Sequence, residues 1–318
     1  MQQVDLRPLV IELDALAGEE DSKLFDRGEG KQSHPVTLIT LILRQMRFTL
    51  LTGLYITSGQ EGETSDWIAE MTLSWPMLNR TLVDLLCNLV FILEEPVSRV
   101  PWFKKSGWRD AALNLQQLKD GFGNSIELKQ GLEDLAKWVS QYADELGLSP
   151  DERQYPKKQI PEWIGIGKMA GYKISSSIRR PPQRDLIHFI HQWYYPQYSW
   201  TAHGQWYGFL RNGAFLLRSR LHPEQREQID NDIPLRTGWE AERAVLFFLA
   251  AVTEIDLCFK FGLAPRLFSL WHRILALPLP SAFEGAMIYE KGYKRREVFS
   301  IAEKNGELHY GFLLAEDP

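Results

Sequence analysis

Apolar residues recur mostly at helical spacing along this chain, and its longest runs are apolar on almost every side. The run VTLITLILRQMRFTLLTGLY after Pro35 is interrupted only by Arg44, Gln45 and Arg47, which predicts a buried helix over 35–57 with proline in its first turn. A polar loop, SGQEGETSD, leads to a second helical region from about Asp66 and a further start at Ser74, with Pro76 in the first turn. That start opens NRTLVDLLCNLVFILEE, where Arg80, Asp84 and Asn88 recur every four residues among Leu, Val, Ile, Phe and Cys. The spacing puts them on one line of a mostly buried helix, so each needs a partner. Two arrangements satisfy this. One is an internal Arg80–Asp84 ion pair with Asn88 bonded to a neighbouring helix; the other has Asp84 and Asn88 orienting His203 or lining a cavity with Ser199.

Elsewhere the pattern is less regular. Residues 1–34 hold one short apolar segment, Leu9 to Leu16, before an acidic, glycine-containing run, and read as a peripheral arm. PWFKKSGWRD reads as a basic, aromatic connector laid over the core, and periodicity over 109–119 and 124–147 predicts an outer helical hairpin. Three prolines and six charges mark 146–163 as a linker or surface excursion. GIGKMAGYKISSSIRRPPQ lacks the spacing of a phosphate loop and reads as a rim, with Lys168, Lys173, Arg179 and Arg180 able to attract anions. WEAERAVLFFLAAVTEIDLCFKFG predicts a core helix closed by Gly262, followed by another over about 265–277. Glu254 and Asp256 are two apart, so at most one should point inward. Alternation near the end, with Asn305-Gly306 between two runs, predicts a small β-hairpin. The resulting division is an arm over 1–34, a helical domain over 35–280 and a hairpin appendage over 281–318. The fold class is mainly α, a bundle-like core with that hairpin.

One stretch concentrates functional groups. Arg184 to Asn212 reads RDLIHFIHQWYYPQYSWTAHGQWYGFLRN and carries three of the seven histidines with three tryptophans and four tyrosines. Two helices can be drawn through it, 182–194 and 197–220, broken at Pro196, which lacks a donor and clashes with the preceding turn. Arg184, His188 and His191 share a face of the first. Ser199 and His203 share a face of the second, which Trp206 and Tyr207 continue toward the core.

Composition narrows the function classes. The chain has 318 residues, a hydrophobic content of 44%, a formal charge of -5 and a pI near 5.9, enough for one large domain and without a dominant nucleic-acid footprint. Cys87 and Cys258 lie in apolar runs without CxxC spacing, which points to free thiols in a reducing compartment. Neither a signal peptide nor a membrane span is supported, because the longest apolar stretches carry Asp, Arg or Glu, so a cytoplasmic protein is expected.

Three chemical assemblies follow. Arg80, Asp84, Asn88, Ser199 and His203 could form a cluster in which a carboxylate fixes an imidazole tautomer and the imidazole moves a proton. Ser199 is poorly placed as a nucleophile, since no GxSxG turn accompanies it. Arg184 with His188 or His191 could supply the cation and the proton carrier of a metal-independent ribonuclease. His188, His191, His203 and a carboxylate such as Asp84 or Glu254 could hold a metal, although HExxH is absent; the expectation is no cofactor and no metal.

The segments NRTLVDLLCNLVFILEEP and QYSWTAHGQW resemble a bacterial helical family of unassigned activity, in which an Arg-led, acid-bearing helix precedes a Tyr-Ser-x-x-x-His segment. The matching positions are Arg80, Asp84 and Asn88, then Tyr198, Ser199 and His203, with Asp84 standing where that family carries the longer Glu. This resemblance implies that the two segments meet in space. Arg184 and His191, with six residues between, resemble the Arg, four to six residues, His motif of HEPN ribonucleases. That implies a metal-independent endoribonuclease in defence or stress response, with RNA as substrate, a homodimer across the motif, Arg184 stabilising phosphate and His191 or His203 shuttling the proton. The competing expectation is a non-catalytic interaction or ligand-binding module with a protein partner, whose polar line only specifies helix packing.

Overall fold

The helical spacing of the apolar runs carries through into three dimensions. A computed structural model describes residues 6–28, 35–57, 74–171, 186–188, 190–191, 194–203, 224, 226–275, 299–304 and 307–312, and among these the chain is mainly helical. The helices are α1 (Arg7–Gly28), α2 (Pro35–Thr57), α3 (Trp75–Glu94), α4 (Pro96–Phe122), α5 (Lys129–Glu145), α6 (Pro150–Gln154), α7 (Pro156–Gln159), α8 (Ile166–Gly171), α9 (Tyr195–Ala202), α10 (Arg226–Phe259) and α11 (Ala264–Leu275).

α3 is the central element. It packs against α10, α2, α9, α4 and α8, and its Leu82, Val83, Leu86, Leu89, Val90 and Ile92 are fully buried. Each such side chain stabilises the fold by about 1.5–3 kcal/mol relative to exposure. α10 answers with Ala244, Val245, Phe248, Ala251, Val252 and Ile255. By length and composition α3 could cross a membrane, but 61% of its most apolar window is buried against these neighbours, as a core helix requires. α2 approaches α3 at Gly53, where a Cβ would come within 2.5 Å of the Trp75 ring. Only glycine lets the two backbones close over that indole.

A second, smaller core joins α4 and α5 through Trp108, Leu115, Val139, Ala143, Leu148 and Ile160. The Trp108 indole donates to the Val139 carbonyl at 2.9 Å, so the outer hairpin is closed by a bonded aromatic. The stretch expected to be a linker holds two short helices. α6 opens with a reciprocal Ser149–Glu152 cap, and Glu152 also binds Lys105 at 2.6 Å.

Several expectations are corrected. The supposed arm contains α1, whose Leu9, Val10, Leu13, Leu16, Ala17 and Leu24 enter the main core; its acidic residues disguised it, because Asp14 and Asp21 pair with Arg47 and Arg44 of α2. The basic connector is the start of α4, which runs through Pro101. The donor missing there would have met the carbonyl of Val97, a residue 83% exposed, so the loss falls where water can substitute. Part of the glycine-rich rim is α8, with Ile166, Met169 and Ala170 buried. α2 buries one side only, since Leu41 and Phe48 are 57% and 66% exposed. Glu254 and Asp256 both point inward, because α10 is wrapped by α1, α2, α3 and α11 and has little solvent face there. Asn305 and Gly306 lie outside the described residues, so the C-terminal hairpin stays an expectation; the flanking segments Phe299–Lys304 and Glu307–Phe312 run in antiparallel register without described side chains.

The end of α10 shows how α1 is anchored. Lys260 and Gly262 take left-handed backbone angles, φ 56° and 80°, and the Asp256 carboxylate accepts from the Leu263 N–H at 3.1 Å. From α1, Lys23 donates to the Phe261 carbonyl at 3.2 Å and Arg27 to the Phe259 carbonyl at 3.0 Å, placing two cations where the helix dipole is negative. Beside them Glu20 is fully buried, with no partner for either carboxyl oxygen among the described residues. Burial, then the neighbouring Asp256 charge, holds its carboxyl well above the ordinary value of 4.5, against the opposing pull of Lys23 and with a further push from Glu19.

Two outcomes follow from this packing. Gly53→Ala should cost about 1–3 kcal/mol in denaturant unfolding, because the Trp75 ring has no room to retreat. Glu20 stays protonated in the fold but ionises in the unfolded chain above about pH 4.5, so its contribution is complete below that pH and is lost as pH rises toward the folded value. Glu20→Gln should therefore flatten the decline of melting temperature above pH 5; an unchanged slope would refute the assignment.

Candidate functional site

The two segments singled out by sequence meet in the fold. α9 lies on α3 and starts after a turn at Tyr194, with Pro196 in its first turn rather than between two helices as the sequence suggests. Arg80 is fixed from two sides: its guanidinium lies 3.7 Å from the centre of the Tyr195 ring, and its Nη2 is 3.3 Å from Asp84 Oδ1. The internal ion pair drawn from the sequence is thus present, with a cation–π contact added.

Asp84 sits at the edge of this contact with its side chain 41% exposed. Partial burial pushes its carboxyl up, while the charges of Arg80 and of His203 pull it back. His203 follows the last residue of α9, its N–H bonded to the Ser199 carbonyl at 3.0 Å, and is exposed. Ser199 is half-buried one turn before it. Asp84, Arg80 and His203 therefore form one electrostatic group open to solvent on its histidine side. An imidazole near a carboxylate of raised affinity for protons can exchange a proton with a bound substrate.

Other candidates go elsewhere. Asn88 does not face His203: its Oδ1 accepts from the Trp163 indole at 2.7 Å, and Trp163 packs edge-on against Phe91, Trp102 and Phe103 at 5.5, 4.8 and 4.9 Å. Its partner lies in the extended stretch before α8, so of the two arrangements read from sequence Asn88 follows the structural one. Tyr198 is buried on the opposite side of α9 from that opening. Its hydroxyl donates to Glu240 Oε2 at 3.0 Å and accepts from Arg243 at 3.2 Å, while Asn79 donates to the same Glu240 oxygen at 2.8 Å. Burial keeps the Tyr198 phenol protonated well past its ordinary range. This clasp joins α3, α9 and α10 and is architecture.

His191 is half-buried, 5.7 Å from the Tyr195 ring, and packs so close to α8 that a Cβ on Gly167 would come 3.0 Å from its Nε2. Burial first, then the charge of His188, lowers its proton affinity. His188 is exposed. Arg184 and Trp206 lie outside the described residues, as do Lys173, Arg179, Arg180 and Tyr207. Glu254 is buried in α10, and among the described residues no group of three or more His, Cys, Asp or Glu could hold a metal ion.

The sequence reading missed Asn79, Glu240 and Arg243. Glu240 and Arg243 are three apart at the head of an otherwise apolar run, the same signal that marked Arg80 and Asp84. A second buried pair, Arg99 with Glu94 at 2.7 Å, also went unread because Pro96 and Pro101 hid the helix that presents it. Arg99 lies 3.6 Å from the Phe91 ring centre.

No family model, curated protein or solved structure matches this chain. The resemblances drawn from short motifs therefore rest on those residues alone.

Tyr198→Phe tests the division between clasp and opening. It should cost about 1–3 kcal/mol of stability by leaving Arg243 and Glu240 short of a partner, measured by urea unfolding. A neutral result would show that the hydroxyl does not hold α9 to α10.

Proposed function

We propose that the chain is a metal-independent endoribonuclease in which His203 moves the proton, Asp84 orients His203, and Arg80 is the fixed positive charge behind them. The observation that carries this reading is that α9 packs on α3, where Arg80 is paired with Asp84 and held against the Tyr195 ring, while His203 just after α9 is exposed to solvent. Attack of a ribose 2′-hydroxyl on its own phosphodiester needs a base for the hydroxyl proton, an acid for the departing 5′-oxygen, and positive charge near the phosphorane. An imidazole can serve as base and then as acid, and a carboxylate behind it fixes the tautomer.

The HEPN-like version assigns phosphate stabilisation to Arg184 and the proton to His191, in a bacterial cytoplasmic protein of defence or stress response. Partial burial favours neutral His191, which suits a base, yet its ring is turned against Gly167 and Tyr195 rather than into the opening. His203 is therefore preferred. A second reading, a non-catalytic interaction module, is favoured by the fates of Asn88 and Tyr198, both committed to holding elements together. In that reading the Arg80 line specifies packing and the aromatic stretch is a partner surface.

Cleavage of a labelled total-RNA pool, with and without a chelator, separates these. Chelator-resistant cleavage should be lost in His203→Ala, fall about 10²-fold in Asp84→Asn and persist in His191→Ala. Loss confined to His191→Ala would move the site to the HEPN-like pair. Chelator-sensitive cleavage would demand a metal, and a folded wild type that cleaves nothing would leave the interaction module.

A further inference from the structure

α1 and α2 lie antiparallel, pinned by Arg47–Asp14 and Arg44–Asp21 at 2.8 and 2.9 Å. These two rungs set the register, bringing Phe25 to the end of the pair that carries Leu41 and Ile11 to the end that carries Leu51. Inward, the pair fills the core with Leu13, Leu16 and Leu24 from α1 and Ile39, Leu43, Met46 and Leu50 from α2. Outward it is also apolar. Ile11 and Phe25 are 71% and 57% exposed on α1, and Leu41, Phe48 and Leu51 are exposed on α2.

The outward residues are ordered. On α1 the row Ile11, Ala15, Gly18, Ser22, Phe25 alternates steps of four and three, stays on one face and carries no charge. On α2, Leu41 and Phe48 are seven apart with Gln45 between them. A sevenfold repeat on an exposed face is the spacing by which one helix packs along another. The four charges between the two rows, Asp14, Asp21, Arg44 and Arg47, are already matched to one another.

We infer that this outer face of the α1–α2 pair is the contact through which two copies of the chain associate about a twofold axis. Charge selects the occupant: a face whose internal charges are neutralised meets no like charge when it pairs with itself, whereas a nucleic acid or an acidic membrane would find Arg44 and Arg47, the cations described between the two rows, already paired. Size agrees. Helices of this length are about 33 Å long, and two side by side present roughly 600 Å² per copy, or about 1,200 Å² in all, the lower bound of a specific interface. The inference does not depend on the ribonuclease reading, because α2 meets α3 by its opposite side.

Sedimentation equilibrium on the full chain tests it. The wild type should have about twice the 36.8 kDa chain mass at micromolar concentration. Phe48→Glu and Ile11→Glu should raise the dimer dissociation constant at least about tenfold while leaving the melting temperature unchanged, since both side chains face solvent in the single chain. Ile126→Glu, an equally exposed position in the α4–α5 turn, should leave the dimer intact. A monomeric wild type overturns the inference, including one that binds lipid vesicles through Phe48. So does a dimer that survives both α1–α2 substitutions.

Discussion

Everything positioned in this molecule is positioned by the contact of α3 with α10. Both helices are apolar along most of their length, and a clasp near the start of α3 fixes how they are aligned: Asn79 and Tyr198 both bond Glu240, which Arg243 also holds. Apolar contact alone would tolerate sliding by a turn. A half-buried carboxylate with donors from α3 and α9 does not, because any other register takes Asn79 and Tyr198 away from Glu240 and leaves it only Arg243 of its own helix. α9 is drawn into the same clasp through Tyr198, which holds the segment ending at His203 against α3. The candidate chemistry is thus one side of α9, held in place by the other side.

The sequence made α2, α3, the core of α10 and α11 legible because each is a long apolar run with a proline or glycine near an end. It concealed α1 and the first turns of α4 for the same reason in reverse. In α1, charges that look like a solvated face are matched to arginines on α2, and matching is a property of the pair, which no single segment displays. In α4 two prolines suggested a break, yet Pro96 occupies a first turn and Pro101 falls just beyond it, where the lost bond is cheap. Glu254 and Asp256 were misjudged by treating α10 as a one-sided helix when four others surround it.

The site was legible as a line rather than as an assembly. Spacing four identified Arg80, Asp84 and Asn88, but it could not reveal that Asn88 turns to Trp163 while Asp84 stays with Arg80. Successive positions on that line are about 6 Å apart along the axis, far enough to meet different neighbours. Periodicity reports which side of a helix a residue occupies and is silent about who stands opposite.

The anchoring of α1 carries a consequence for the order in which the chain can mature. Lys23, Arg27 and Glu19 are satisfied by Phe261, Phe259 and Arg266, partners 238, 232 and 247 residues away in sequence. At synthesis rates of about 5–20 residues per second, the first helix leaves the ribosome roughly 12–50 s before those groups exist. During that interval α1 has α2 to pair with but nothing to cap, and its buried Glu20 has no enclosure. α1 is therefore made long before the residues that complete its capping, and it is completed only when they arrive.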